Sequence, residues 1–264
     1  MKLLKELLNV DNKLILITND DGITANGIKS LVEAVKDLGE VHVVAPDSPQ
    51  SGMGHAVTIG NILRIKEHNF SVEGIPAHST SGTPVDCVKL AIYKILDRKP
   101  DILLSGINHG SNSSINVIYS GTMSAAVEGA VESIPSVGFS LLNLSADADF
   151  SVAKKVARHI TQKVIENGLP KGVCLNVNIP NVKEEDFNGI KVCRQSAGYW
   201  EDEFEEREAP NKQKYYWMKG EFTNPDKGED TDEFALSHGF ASVVPTQFDL
   251  TAHHAISELN NWDL

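Results

Sequence analysis

The stretch Leu-Ile-Leu-Ile-Thr-Asn-Asp-Asp-Gly at residues 14–22 decides how the chain folds. Its first five residues are apolar or β-branched without alternation, which is typical of a parallel strand buried on both faces. From Gly27 to Leu38 apolar residues recur at helical spacing, and Gly39 is predicted to be the C-cap. A second strand is predicted at residues 41–45. Together these segments predict a right-handed βαβ unit that opens a parallel sheet.

The same alternation continues through most of the chain. Helices are predicted at residues 83–96, 122–132 and 151–166, and strands at residues 101–104, 137–139 and 173–179. This order predicts an α/β fold with a doubly wound, mostly parallel, Rossmann-like sheet. Residues 1–12 are predicted to be an N-terminal extension and residues 13–264 a single α/β domain. The acidic, aromatic-containing segment 195–235 is predicted to protrude as a hairpin or arm.

Composition excludes several classes of protein. The 264 residues are 41% hydrophobic and 23% charged, and we find no apolar run approaching the roughly 18 residues that cross a membrane. The charged start does not resemble a secretory signal. The three cysteines, Cys87, Cys174 and Cys193, form no C-x-x-C pair, so neither a disulfide framework nor a zinc knuckle is expected. Such cysteine usage predicts a cytoplasmic location. The net charge of −12 argues against binding a nucleic-acid polymer.

Three polar loops follow predicted strands, at residues 19–22, 46–54 and 105–112. In an open parallel sheet, ligands bind beyond the carboxyl ends of the strands. Asp20 and Asp21 can share one cation if the chain turns between strand and helix, and Gly22 permits that turn. A lone aspartate here would more often cap a helix, but the paired carboxylates favour a metal. Oxygen ligands favour magnesium, manganese or calcium over zinc.

The other two loops and one helix start offer companions for the carboxylates. Ser51 could add a hydroxyl ligand, and Asn108 and Asn112 could add amide groups, although each alone indicates only a loop or turn. The run Ser120-Gly121-Thr122 could hold a phosphate at the positive end of a helix dipole, or simply form an N-cap. Neither a dinucleotide fingerprint nor a P-loop occurs.

Histidines in these loops are weaker candidates. His55 and His109 could act on a leaving group, but a lone loop histidine is more often a surface residue. His253 and His254 lack the spacing of a metal pair, and the acidic run 201–208 is predicted to be a solvated face.

Several motifs taken together match a known family. They are Asn19–Gly22, Ala45–Asp47 with Ser51-Gly52, Gly82–Pro84, Ser105–Asn108, Tyr119–Thr122 and, towards the far end, Thr231-Asp232, Gly239, Val243–Pro245 and Asp249–Thr251. On these residues the chain resembles the SurE survival proteins, which are metal-dependent nucleoside monophosphate phosphatases. The resemblance extends from about residue 13 to near the end of the chain.

The resemblance implies a role for each candidate residue. It places the ligands of one divalent metal ion, Mg²⁺ or Mn²⁺, on Asp20, Asp21, Ser51 and Asn108, with Asp20 and Asp21 catalytic. It places substrate binding on Asn112, Ser120, Gly121 and Thr122. It also implies a nucleoside 5'-monophosphate substrate and a homodimer or homotetramer whose C-terminal segments exchange between subunits.

Three features depart from the family pattern. The extension of about 12 residues precedes the usual start, Asn26 stands where the family commonly has proline, and Asn116 stands where it commonly has aspartate. The last difference changes the charge expected near the substrate.

The expected chemistry is hydrolysis of a phosphate ester by a metal-activated water. Whether Asp20 and Asp21 are two ligands, or one ligand and one base, stays open at this level. A phosphatase of the haloacid-dehalogenase type would need a D-x-D motif. Here Gly22 lies two positions after Asp20, and Ile23 lies two positions after Asp21. A non-catalytic nucleotide or metal sensor with the same loops is the alternative from another class.

Overall fold

A computed structural model describes residues 13–263, so the predicted extension of residues 1–12 lies outside the described residues. Nine strands form one sheet. They are β1 Leu14–Thr18, β2 Glu40–Pro46, β3 Ile65–Glu67, β4 Ala77–Thr80, β5 Ile102–His109, β6 Ser136–Leu141, β7 Val173–Ile179, β8 Gly189–Val192 and β11 Phe240–Gln247. The remaining strands, β9 Tyr199–Glu208 and β10 Lys214–Thr223, form a separate antiparallel hairpin.

The strand order is β3-β4-β2-β1-β5-β6-β7-β11-β8. Neighbouring strands from β4 to β7 are parallel, while β3 and β11 run antiparallel to β4 and β7. The chain leaves β1 on one side to build β2, and later returns on the other side to add β5. The prediction of a doubly wound, mostly parallel sheet is therefore confirmed, and the topological switch point lies between β1 and β5.

Helices cover both faces of the sheet. They are α1 Asn26–Val35, α2 Pro84–Leu90, α3 Gly121–Val131, α4 Ser151–Asn167, α5 Asp232–Ser237 and α6 His253–Leu259. Ile15 and Ile17 of β1 pack in one apolar cluster with α1 and α4, and Leu16 packs in another with α2 and α3. Alternate β1 side chains thus enter opposite layers, as expected for a strand buried on both faces.

Two predicted boundaries were wrong. The first helix ends at Val35, and Gly39 does not cap it. Gly39 instead lets the chain pass close to Lys13, whose carbonyl oxygen would lie 2.4 Å from an added Cβ. Residues 105–109, predicted as a loop, continue β5 with a register shift against β6 and a cis peptide between Gly106 and Ile107. Glycine and polar residues at the strand end favour a turn, but pairing with β6 keeps this segment extended.

The predicted arm is shorter than residues 195–235. The hairpin itself spans residues 199–223, whereas Thr231 caps α5 and Ala235 is fully buried. Asp232 accounts for the difference, since its carboxylate accepts the backbone N–H groups of Ser114 at 2.8 Å and Ser196 at 2.9 Å. These bonds fasten the end of the segment to the body of the protein.

A buried carboxylate joins α2, α3 and the loop that follows β2. Glu128 of α3 is 3% exposed, accepts a hydrogen bond from His55 Nε2 at 2.9 Å and is paired with Lys89 of α2. Burial disfavours its charged form, but the bonds from His55 and Lys89 outweigh burial and lower the pKa of Glu128. The charged carboxylate therefore contributes to the packing of these elements.

Cys87, Cys174 and Cys193 are buried and free, and burial raises the pKa of Cys87 and of Cys174 to about 12. Across residues 13–263, none of the helices combines the length and apolar character needed to cross a membrane.

Replacing Gly27 with alanine is expected to destabilise the protein. The added Cβ would lie 1.9 Å from the backbone oxygen of Ile107, so α1 must move away from β5. We expect the free energy of unfolding in urea to fall by about 1–3 kcal/mol despite the better helix propensity of alanine. Gly60→Ala is the control because its Cβ would meet no atom within 4 Å. An unchanged or higher stability of Gly27→Ala would contradict the close packing.

The variant Glu128→Gln is expected to lose stability in a pH-dependent way. Because folding lowers the pKa of Glu128, its charge stabilises the folded state above the ordinary value of 4.5, and this contribution is lost as pH falls below it. We expect the variant to be about 1–3 kcal/mol less stable at pH 7, and the gap to narrow towards pH 4. Urea unfolding at both pH values measures the gap. A gap that stays constant would contradict the ion pair.

Candidate active site

The carboxyl ends of β1 and β5 meet at the switch point, and most of the predicted site residues lie around them. Asp20 and Asp21 follow β1, Asn108 is the next-to-last residue of β5, and the N-terminus of α3 faces Asp20. Crevices at such points are where open α/β sheets bind ligands. The structure therefore brings together residues that are separated by about a hundred positions in sequence.

Asp20 is buried against the first turn of α3. Thr122 Oγ1 donates to its Oδ1 at 2.5 Å, and a Cβ added to Gly121 would lie 2.7 Å from the Asp20 Cβ. Only glycine allows this approach of helix and carboxylate. Burial raises the pKa of Asp20 to about 6; the Thr122 hydroxyl opposes the shift and the charge of Asp21 adds to it.

Asp21 is half-buried and points towards the end of β5. The backbone N–H of His109 donates to its Oδ2 at 3.2 Å. Burial raises the pKa of Asp21, and this hydrogen bond partly offsets the effect. The predicted turn is present, since Gly22 has a φ of +97° and its carbonyl oxygen accepts from Asn19 Nδ2 at 2.9 Å. The turn explains how adjacent aspartates both reach the crevice.

Ser51 and Asn108 lie on the segments that flank the carboxylates. The backbone N–H of Gln50 donates to the Asp20 carbonyl oxygen at 2.7 Å, which places the exposed Ser51 next to this strand end. Asn108 donates from Nδ2 to the Gly110 carbonyl at 3.0 Å. Within residues 13–263 its Oδ1 accepts no hydrogen bond, so this oxygen can bind a ligand.

Asn112 is buried in a network of hydrogen-bonded amides and is barely exposed. Its backbone N–H donates to Asn178 Oδ1 at 2.8 Å, its Nδ2 donates to Ser140 Oγ at 2.7 Å, and its carbonyl accepts from Asn176 Nδ2 at 2.8 Å. Only 6% of Asn112 is exposed. Its visible contacts hold the loop after β5 to the ends of β6 and β7.

The start of α3 is an N-terminus with a side-chain cap. Ser120 is the N-cap, and its hydroxyl accepts from the backbone N–H of Met123 at 3.0 Å. The remaining N–H groups of the first turn lie at the positive end of the helix dipole. Because Gly121 and Thr122 contact Asp20, these donors open onto the same crevice as the carboxylates.

The two loop histidines differ in their exposure and in their contacts. His55 is tied to Glu128, and His109 is half-buried with its ring edge on Phe150, at 5.3 Å between ring centroids. The expectation of a surface residue holds for His55, whose side chain is 39% exposed, but it was wrong for the half-buried His109. The role of the His109 backbone as a donor to Asp21 has no sequence signal beyond its place at a strand end.

The donor atoms of the crevice fit a hard divalent cation. Two carboxylates, an amide oxygen and a hydroxyl are available from Asp20, Asp21, Asn108 and Ser51, which are the oxygen ligands that magnesium and manganese prefer. Within the described part of the chain, no group of three His, Cys, Asp or Glu side chains could hold a metal by itself. Asn19 Oδ1 and Ser105 Oγ, buried beside these residues, also lack a hydrogen-bond partner within residues 13–263.

A groove of about 880 Å³ lies apart from these residues. It lies along α3 and the end of β11, where its lining includes Val127, Val131, Phe248 and Leu250. None of the four candidate metal ligands lines it. The polar crevice is the better candidate for chemistry, because carboxylates and a helix N-terminus converge there.

Comparison with known proteins agrees with this arrangement. A family model described as "Survival protein SurE" matches residues 15–202. The chain is 60% identical over 262 residues to a protein of Christiangramia forsetii named 5'-nucleotidase SurE, covering 97% of this chain and 99% of the relative. It is 59% identical over 251 residues to a protein of the same name from Flavobacterium psychrophilum, covering 95% and 98%.

A solved structure extends the likeness to three dimensions. The crystal structure of the SurE protein from Aquifex aeolicus superimposes with a TM-score of 0.80 at 38% identity, covering 94% of this chain and 98% of the other. Identity of this extent, over nearly the whole of each protein, establishes common descent. The chain belongs to the SurE survival protein family.

Proposed function

We propose that this protein is a metal-dependent 5'-nucleotidase that hydrolyses nucleoside 5'-monophosphates to nucleoside and phosphate. One observation carries the proposal: the N-terminus of α3 contacts the buried carboxylate of Asp20 through Gly121 and Thr122. A set of oxygen ligands and a set of helix N–H donors thus face one crevice. The names of the relatives, which are 5'-nucleotidases, support the choice of substrate.

Asp20, Asp21, Ser51 and Asn108 would hold the metal ion. A bound Mg²⁺ or Mn²⁺ would polarise a phosphate oxygen and lower the pKa of a water molecule. The chain orients its ligands beforehand: the Thr122 hydroxyl holds Asp20, the His109 N–H holds Asp21, and Gly110 holds the amide nitrogen of Asn108. Such preorganisation reduces the cost of arranging the site during the reaction.

The phosphate would bind at the start of α3. Ser120, Gly121 and Thr122 contribute backbone N–H groups and hydroxyls to a turn where the helix dipole favours negative charge. On a protein with a net charge of −12, this local positive potential and the cation are what attract an anionic substrate. Asn112 would act through the loop it holds, since its amide is engaged with Ser140.

A homodimer or homotetramer is also part of the proposal. The C-terminal segment, residues 248–263, exposes apolar side chains. Leu250 is 91% and Trp262 is 58% exposed, and α6 has no buried residue. The apolar groove of about 880 Å³ lies beside this segment. Exchange of the segments between subunits would cover both surfaces.

Replacing either carboxylate should abolish activity without unfolding the protein. Asp20→Asn and Asp21→Asn keep the shape of the side chain but remove a charged ligand, so we expect phosphate release from nucleoside 5'-monophosphates with Mg²⁺ or Mn²⁺ to fall at least about 100-fold. Circular dichroism checks folding. Asp97→Asn is the control, since Asp97 is exposed near the amino end of β5, at the opposite edge of the sheet.

The results separate the alternatives. Wild-type turnover in either variant, or full activity in excess chelator, would refute the metal site. Nucleotide binding without turnover in the unmodified protein would support a sensor. A phosphorylated aspartate trapped during turnover would support the haloacid-dehalogenase mechanism, because direct hydrolysis by water leaves no covalent intermediate.

The double variant Leu250→Glu/Trp262→Glu should shift the protein towards monomers. Both side chains are exposed in the single chain, so charges there cost it little, whereas charges buried in a subunit contact are costly. Sedimentation equilibrium measures the change in mass. Leu144→Glu, another highly exposed leucine, is the control. An unchanged mass of the double variant would contradict segment exchange.

A further inference from the structure

We infer that a pocket at the base of the hairpin binds the nucleobase of the substrate by stacking it on Trp200. This pocket, called the aromatic pocket below, has a volume of about 320 Å³ and is lined by Tyr119, Trp200, Asp202, Met218, Lys219 and Gly220. The inference rests on the proposed function, because it says where the base of the nucleotide binds while the metal crevice holds the phosphate.

Trp200 is exposed but firmly oriented. Its Nε1 donates to Asn116 Oδ1 at 2.8 Å, and its ring meets Phe222 edge-on with 5.7 Å between ring centroids. Even so, 42% of the residue remains accessible to solvent. A large aromatic ring that is fixed by neighbours and still accessible is suited to stacking, since little conformational entropy is lost when a base binds.

Gly220 keeps the space beside the indole open. In the hairpin, Gly220 pairs with Asp202, and a Cβ at Gly220 would lie 3.3 Å from the Trp200 ring and 3.5 Å from Asp202 Oδ1. A side chain at this position would fill the space that the aromatic pocket occupies. Glycine is otherwise unfavourable inside a strand, where it often marks a bulge, a bend or a place that a ligand or another backbone approaches closely.

The aromatic pocket adjoins the proposed phosphate site along the chain. Tyr119 precedes Ser120, the N-cap of α3, and its carbonyl oxygen accepts from the N–H of Gly54 in the loop that carries Ser51. Tyr119 and Gly121 are two residues apart, so their Cα atoms are at most about 7 Å from each other. One molecule with a phosphate at one end and an aromatic ring at the other can therefore reach both sites.

A nucleobase fits the chemistry of the aromatic pocket. Trp200 and Tyr119 offer aromatic surface, Met218 offers a polarisable side chain, and the Asp202 carboxylate can accept a hydrogen bond from a ring N–H or amino group. Stacking tolerates any base because every base has a π face. The aromatic pocket therefore distinguishes nucleotides from phosphate esters that have no base.

The test compares a nucleotide with a substrate that lacks the base. In Trp200→Ala, the ratio of kcat/KM for AMP to kcat/KM for ribose 5-phosphate should fall about tenfold, within the range that stacking on one aromatic side chain provides. Trp200→Phe should keep most of the ratio. Gly220→Val, which retains the indole but fills the space beside it, should lower the ratio as well.

Trp217→Ala is the matched control. Trp217 pairs with Glu205 and lies on the opposite face of the hairpin from Trp200, outside the aromatic pocket. The ratio of the two kcat/KM values in Trp217→Ala should therefore stay at the wild-type value. An unchanged ratio in Trp200→Ala, or an equal change in Trp217→Ala, would overturn the inference. So would a Trp200→Ala variant that changes oligomer mass and loses both substrates equally, since that would make Trp200 an assembly residue.

A binding measurement separates this inference from the proposed function. With Trp217 and Trp262 replaced by phenylalanine, Trp200 is the remaining tryptophan, and adenosine should quench its fluorescence saturably while ribose 5-phosphate should not. Quenching without phosphatase activity would leave the aromatic pocket standing and refute the nucleotidase. Turnover of AMP without quenching by adenosine would refute the aromatic pocket alone.

Discussion

The parallel pairing of β1 with both β2 and β5 is the constraint on which the rest of the structure depends. A strand with parallel neighbours on both sides must be buried on both faces, so it needs helices above and below the sheet. Its neighbours must also end at the same edge as β1 itself. The two aspartates after β1 consequently lie next to the segment that follows β5 and precedes α3.

That constraint explains why the position of the candidate site in the fold could be predicted from local sequence. The run at residues 14–18 has the composition of a fully buried strand, and the polar residues after it stand where such sheets bind ligands. The turn at Gly22 follows from its freedom to adopt a positive φ. The start of α3 was predictable because Ser120 is a good N-cap. In each case the information lies within a few residues.

The features that escaped prediction are all long-range. Thr122 and Asp20 are 102 positions apart, Glu128 pairs with Lys89 and His55 from different segments, and Asn112 bonds to Asn178 across 66 positions. Local patterns carry no record of such partners. The continuation of β5 through residues 105–109 was missed for the same reason: its glycine and asparagine suggest a turn, and only pairing with β6 holds them extended.

The hairpin has a consequence for how its length can vary. Trp200 lies only two residues beyond Gly198, whose N–H donates to Ser114 Oγ at 3.0 Å, and its side chain points to one face of the ribbon. Successive strand residues face opposite sides, so a single-residue insertion between these positions would turn the indole away from its hydrogen-bond partner Asn116. Changes near the turn at residues 209–213 would leave the base of the ribbon untouched. The distal hairpin can therefore be lengthened or shortened without moving Trp200, whereas its first few residues are held to a strict register.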